Sequence, residues 1–155
     1  STHGGSIRVY IKKNINVKIE KSVKNLLKVE EKFGIKKYET YKKFGDKIYE
    51  IRKNVVNNID KLQKNGKYIV GYGAPAKATT ALNFFGISKQ INFIIEDNHL
   101  KHGKFVPGVK IPIYAKHKIL KKKSTILVLA WNFFEDIKKN NRILSDDFIS
   151  IKSLY

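Results

Sequence analysis

The sequence has no cysteine, and that single absence excludes both disulfides and thiolate zinc sites. It also lacks any apolar run near the roughly 20 residues that a membrane-spanning helix needs. No signal-peptide pattern precedes the first strand-like segment, so a cytoplasmic domain is expected. Arginine is scarce: of 32 basic residues only Arg8, Arg52 and Arg142 are arginine. Readers of bases and phosphates rely on the bidentate arginine fork. The formal charge of +19 is carried almost wholly by lysine, spread along the chain with one tight run at Lys121-Lys122-Lys123. A solvated basic surface that attracts an anionic substrate is expected, and a nucleic-acid partner is not. A basic nucleic-acid-binding module is kept as an alternative, with steep salt dependence as its signature.

The 155 residues suffice for a domain with a proper core. Residues Ser1 to Ser6 read as a turn. Ile7, Val9 and Ile11 alternate with Arg8 and Tyr10, which predicts a short strand. A lone strand after a turn is expected of a segment cut from something longer. The apolar spacing from Val17 to Phe33 predicts a helix stopped by Gly34. Tyr41, Phe44, Ile48, Ile51, Val55, Ile59 and Leu62 recur every three or four residues, which places them on one face of a second helix ended by Asn65-Gly66.

Beyond Gly66 the rhythm changes. Strands are predicted at 68–70, 91–95, 111–114, 125–130 and 148–151, with helices at 76–85 and 133–140. Pro112 confines its strand to an edge or a strand start. The run from Thr125 to Ala130 is apolar almost throughout, as in a parallel strand covered on both faces. The fold class is therefore α/β, a Rossmann-like parallel sheet preceded by two long helices. The expected organisation is 1–13 as the end of a truncated preceding domain and linker, 14–66 as a helical segment, and 67–155 as the Rossmann-like part. The first of these assignments rests on the resemblance described below.

Gly71-Tyr72-Gly73-Ala74-Pro75-Ala76-Lys77 follows the first strand of this part and opens a helix. The glycines allow a tight turn and close approach of a ligand. Pro75 suits a first helical turn, and the open N–H groups of a helix start favour an anion. Lys77 adds a positive charge. The alternative is a tight turn with no ligand, and the G-x-G-x-x-G fingerprint is not met because Ala76 holds its third glycine position. Asp97, after the second strand, either holds ribose hydroxyls or belongs to a solvated turn cluster or a helix cap. Lys101 opens a basic, glycine-bearing loop. Trp131-Asn132 ends the strongest strand, and the indole is either core or a flank for a base or sugar. All these elements lie beyond the carboxyl ends of strands, where open α/β sheets bind ligands. Together they form the candidate substrate-binding set. A stand-alone domain binding NAD or a related nucleotide is the other alternative. His3, His99, His102 and His117 lack metal-ligand spacing, so no metal is assigned, and no self-sufficient catalytic group is found.

Four motifs carry a family resemblance. Thr2 to Tyr10 resembles the last strand region of a methyltransferase domain. Gly71 to Ala78 resembles G-x-G-A-P-A-K-G. Glu96 to Ile113 resembles an acid-rich turn followed by P-G-x-x-I-P-I, and Leu129 to Phe133 resembles L-A-W-N. In order and spacing these are similar to the C-terminal domain of the S-adenosylmethionine-dependent sugar C-methyltransferases. The resemblance implies a larger enzyme with a zinc-binding segment and a donor-binding domain upstream. S-adenosylmethionine would bind there, and no cofactor is expected in this chain. It implies that a base removes a proton beside a sugar keto group and that the enolate carbon attacks the methyl sulfonium. The residues for proton abstraction would also lie upstream, leaving this part inactive alone. Its role would be to close over a nucleotide-sugar substrate and help hold its diphosphate or base. Ala78, Glu96, His102 and Asp136 stand where the family usually has glycine, aspartate, glutamine and glutamate, and the proline-rich ending is absent.

Overall fold

The computed structural model describes residues 5–13, 16, 18–118 and 124–155. The Lys121–Lys123 run, His3 and the Val17 start of the first predicted helix lie outside those residues. The chain divides into two compact units, Ser1–Tyr49 and Glu50–Tyr155.

In the first unit, residues 7–11 form no strand, contrary to expectation, and Ile7, Val9 and Ile11 are exposed. Alternation supplies a face, but a strand also needs a ladder partner, and none pairs with it among the described residues. Helix α1 (Lys21–Phe33) ends where glycine predicts: Gly34 has φ 81°, and its N–H donates to the Glu30 and Glu31 carbonyls. The helix buries no residue. The Thr40 hydroxyl donates to the Gly34 carbonyl at 2.8 Å and ties the start of helix α2 (Tyr38–Lys64) to that turn. Gly45 does not interrupt α2. Tyr41 and Phe44, at the head of the predicted stripe, are exposed.

The second unit holds the rest of α2, where the same stripe becomes core: Val55 and Ile59 are fully buried. Five parallel strands follow, β1 (Tyr68–Tyr72), β2 (Phe93–Ile95), β3 (Ile113–Tyr114), β4 (Ser124–Val128) and β5 (Asp147–Ser150). Their spatial order is β3-β2-β1-β4-β5, with every pairing parallel. Between them run helix α3 (Ala76–Phe85), within its predicted bounds, and helix α4 (Phe134–Asn140). β3 is an edge strand, as Pro112 requires.

Strand side chains alternate between two cores. Ile69, Ile94, Leu127 and Leu129 pack with Val55 and Ile59 of α2 and with Ala78, Leu82 and Phe85 of α3. Val70, Tyr72, Ile95, Ile126 and Val128 pack on the other face, with Phe134 and Ile137 of α4 against them. Both faces are covered, which explains the unbroken apolar run of β4. Gly71 lies inside this packing. A Cβ there would come within 2.8 Å of Ile94 and 3.1 Å of Leu129, so its missing side chain lets strand and core close. Among the described residues no helix is long and apolar enough to cross a membrane.

Candidate functional site

The strand order reverses direction at β1. Its next strand in sequence, β2, lies on one side, and β4 lies on the other. In an open parallel sheet that reversal opens a crevice beyond the carboxyl ends of the two central strands. A pocket of about 310 Å³ lies there, lined by Tyr72, Gly73, Pro75, Glu96, Asp97, Lys101, Ala130, Phe133 and Ile137. Tyr72, Gly73, Pro75, Asp97 and Lys101 of the sequence-derived set meet in it. Gly71 serves the packing described above, and Lys77, Trp131 and Asn132 stand on the adjoining elements.

The turn after β1 forms because Gly73 adopts φ 86°. Its N–H donates to the Ile95 carbonyl at 2.8 Å, and a Cβ there would lie 3.1 Å from the Ala130 Cβ. Pro75 stands one residue before the helix, not in its first turn: it is extended at φ −72° and ψ 163°, and no side chain caps α3. The Lys77 ammonium sits 4.7 Å from the centre of the Trp131 ring, a cation–π contact joining the first turn of α3 to the segment after β4.

Glu96 departs most from the expectation of an anion-binding turn. Its Oε2 accepts the Ala74 N–H at 2.8 Å and the Lys101 Nζ at 3.2 Å. Its Oε1 accepts the N–H groups of Asp97 and Asn98 at 3.0 and 3.1 Å. Lys101 also donates to the Ala74 carbonyl at 3.0 Å. Ala74 thus presents neither its N–H nor its carbonyl to a ligand, and Lys101 holds the turn in place. Burial alone would raise the Glu96 carboxyl. The N–H donors and the Lys101 charge outweigh it and keep it below the usual carboxylate range.

Asp97 points the other way. Tyr72, nearly buried at the end of β1, donates its hydroxyl to Asp97 Oδ2 at 2.9 Å. The Lys116 ammonium pairs with Asp97 Oδ1 at 2.7 Å and lies 5.4 Å from the centre of the Tyr72 ring. Burial would raise the Asp97 carboxyl, but Lys116 and Tyr72 together hold it below its ordinary value. Burial keeps the Tyr72 phenol above its ordinary value, so it remains a donor. The Asp97 side chain stays 60% exposed, which leaves it open to hydroxyl donors from solvent or a ligand. The pocket therefore has an acidic polar edge at Asp97 and an apolar wall of Ala130, Phe133 and Ile137.

Sequence reasoning missed Lys116, Phe133, Ile137 and the bracing role of Glu96. The charge of Lys116 is one of many along the chain, and nothing local marks it. It also missed Asn83, whose side-chain amide donates to the Pro107 carbonyl at 3.0 Å and the Thr79 carbonyl at 2.8 Å. This pins the Pro107-Gly108 turn to α3. Gly108 has φ 81°, and a side chain there would run into Asn83. The segment around it is a small hairpin, with Phe105 and Pro112 bridged antiparallel and the Val106 N–H on the Ile111 carbonyl at 2.9 Å. Among the described residues no three histidines or carboxylates cluster as a metal set.

Comparison with known proteins gives this arrangement a family. The chain is 32% identical over 143 residues to C-methyltransferase NovU of Streptomyces niveus, covering 90% of this chain and 34% of NovU. It thus spans about a third of that relative's length. A family model described as the C-methyltransferase C-terminal domain matches residues 1–149, taking in the glycine turn, the Glu96-to-Ile113 segment and the Trp131 strand end. By that match over nearly its whole length, the chain belongs to the C-methyltransferase C-terminal domain family.

Proposed function

We propose that this chain is the substrate side of an S-adenosylmethionine-dependent C-methyltransferase acting on a nucleotide-linked keto sugar. The observation that carries the reading is the pocket at the sheet reversal in a member of this family. An exposed carboxylate at Asp97 suits sugar or ribose hydroxyls, and the Phe133 and Ile137 wall suits the face of a ring. The basic surface favours the arrival of an anionic sugar nucleotide. The chemical step belongs to a partner domain that holds the methyl donor. On this reading the chain binds, orients and shields the sugar nucleotide while the reacting carbon faces the partner domain.

Trp131 is the only tryptophan in the chain, and it stands beside the pocket. Its fluorescence should change on adding a thymidine diphosphate sugar, and Lys77→Ala should weaken that saturation while leaving the melting temperature near that of the parent. Unchanged fluorescence together with unchanged affinity in a calorimeter would contradict the proposal.

A further inference from the structure

In a glycine turn between a parallel strand and a helix, the backbone N–H groups ordinarily meet a phosphate. Here one N–H of that turn, Ala74, meets a carboxylate of the chain itself. The Ala74 N–H is answered by Glu96 Oε2 at 2.8 Å, and the nearby ammonium of Lys101 lies on the same oxygen at 3.2 Å. An ionised carboxylate offers about four acceptor positions, and Glu96 uses four: Ala74, Lys101, Asp97 and Asn98. Its side chain is only 13% exposed, so it is enclosed as well as saturated. A phosphate brought to this turn would have to displace these bonds or sit against a buried negative charge.

We propose that Glu96 is a specificity-determining residue, a built-in stand-in for phosphate. It closes the dinucleotide mode of this fold and reserves the pocket for an uncharged ring of the ligand. The remaining lining agrees. Beyond Glu96 and its partner Lys101 the wall is Pro75, Ala130, Phe133 and Ile137, and the carboxylate most open to a ligand is Asp97, which disfavours a phosphate. The inference relies on the proposed function only for the identity of that ring. The exclusion of phosphate follows from Glu96 itself.

The test uses isotope-labelled chain and inorganic pyrophosphate, reading the backbone amide of Ala74. The lysine-rich surface will bind pyrophosphate elsewhere, so a site-resolved signal is needed. In the parent chain the Ala74 amide should stay in place. In Glu96→Ala it should move with pyrophosphate, at an apparent affinity about tenfold or more above any parent response. Glu96→Gln keeps the shape of the side chain without its charge and decides the matter if the alanine variant fails to fold. Movement of the parent amide at the affinity of the variants would overturn the inference, and so would silence of every folded variant. Pyrophosphate has neither sugar nor base, so this result stands apart from the proposed function. That reading would fail separately, through silence of Tyr72 and Phe133 toward a sugar nucleotide.

Discussion

Glu96 and Ala74, 22 residues apart, are joined by a hydrogen bond of 2.8 Å from the Ala74 N–H to the Glu96 carboxylate. This contact fixes the turn after β1 against the turn after β2. It decides what the glycine-rich segment can offer a ligand.

Glu96→Gln should destabilise the chain by about 1–3 kcal/mol at neutral pH, because buried N–H donors lose a charged acceptor. The loss depends on pH in a defined direction. The folded-state pKa of Glu96 lies below its usual value. Its contribution is therefore complete above the unfolded value of about 4.3 and disappears as the pH falls through the lower folded value. Urea unfolding of both proteins should show a gap that is constant near neutrality and narrows in acid. A gap that widens in acid would show that the carboxylate is not held ionised.

Tyr72→Phe removes a nearly buried hydroxyl donor from Asp97 while leaving Lys116 in place. A stability loss of about 1–3 kcal/mol is expected in denaturant unfolding. The Asp97 carboxyl should titrate higher in the variant, as followed by carbon NMR, because the Tyr72 hydrogen bond that helps hold it down is gone.

Gly73→Ala should cost about 1–3 kcal/mol, since φ 86° is a strained conformation for alanine. The added methyl also meets the Ala130 Cβ at 3.1 Å. Thermal unfolding measures the cost. A change below about 0.5 kcal/mol would mean the turn relaxes freely.

The apolar stripe of α2 gives a contrast within one helix. Ile59→Ala should cost about 2–5 kcal/mol, because Ile59 is fully buried between helix and sheet. Phe44→Ser, at an exposed position of the same stripe, should change the stability of this chain by about 0.5 kcal/mol or less.

That contrast also shows what was legible in the sequence. Spacing of three and four places Phe44 and Ile59 on one helical face, but periodicity carries no information on which part of a face meets a neighbour. Helix α3 was readable to the residue, because Pro75 and Gly86 bracket it and helix formers fill it. The parallel sheet was readable from strands alternating with helices. Ile7 to Ile11 misled, since alternation predicts a strand whether or not a partner exists. Gly73 and Asp97, which line the pocket, and Trp131 beside it stand out in the sequence by their position after strands. Phe133 and Ile137 do not, because an aromatic and an aliphatic residue in a short helix look like ordinary core. Glu96 beside Asp97 could not be told apart from it by type. The structure separates them, one turned inward onto N–H groups and the other outward toward solvent.

The most direct test is an NMR titration of the labelled chain with a thymidine diphosphate sugar and with S-adenosylmethionine in parallel. Saturable shifts are expected at Tyr72, Gly73, Asp97 and Phe133 with the sugar nucleotide, and none at those residues with S-adenosylmethionine. Saturation of the same residues by S-adenosylmethionine, with silence toward the sugar nucleotide, would contradict the proposed function.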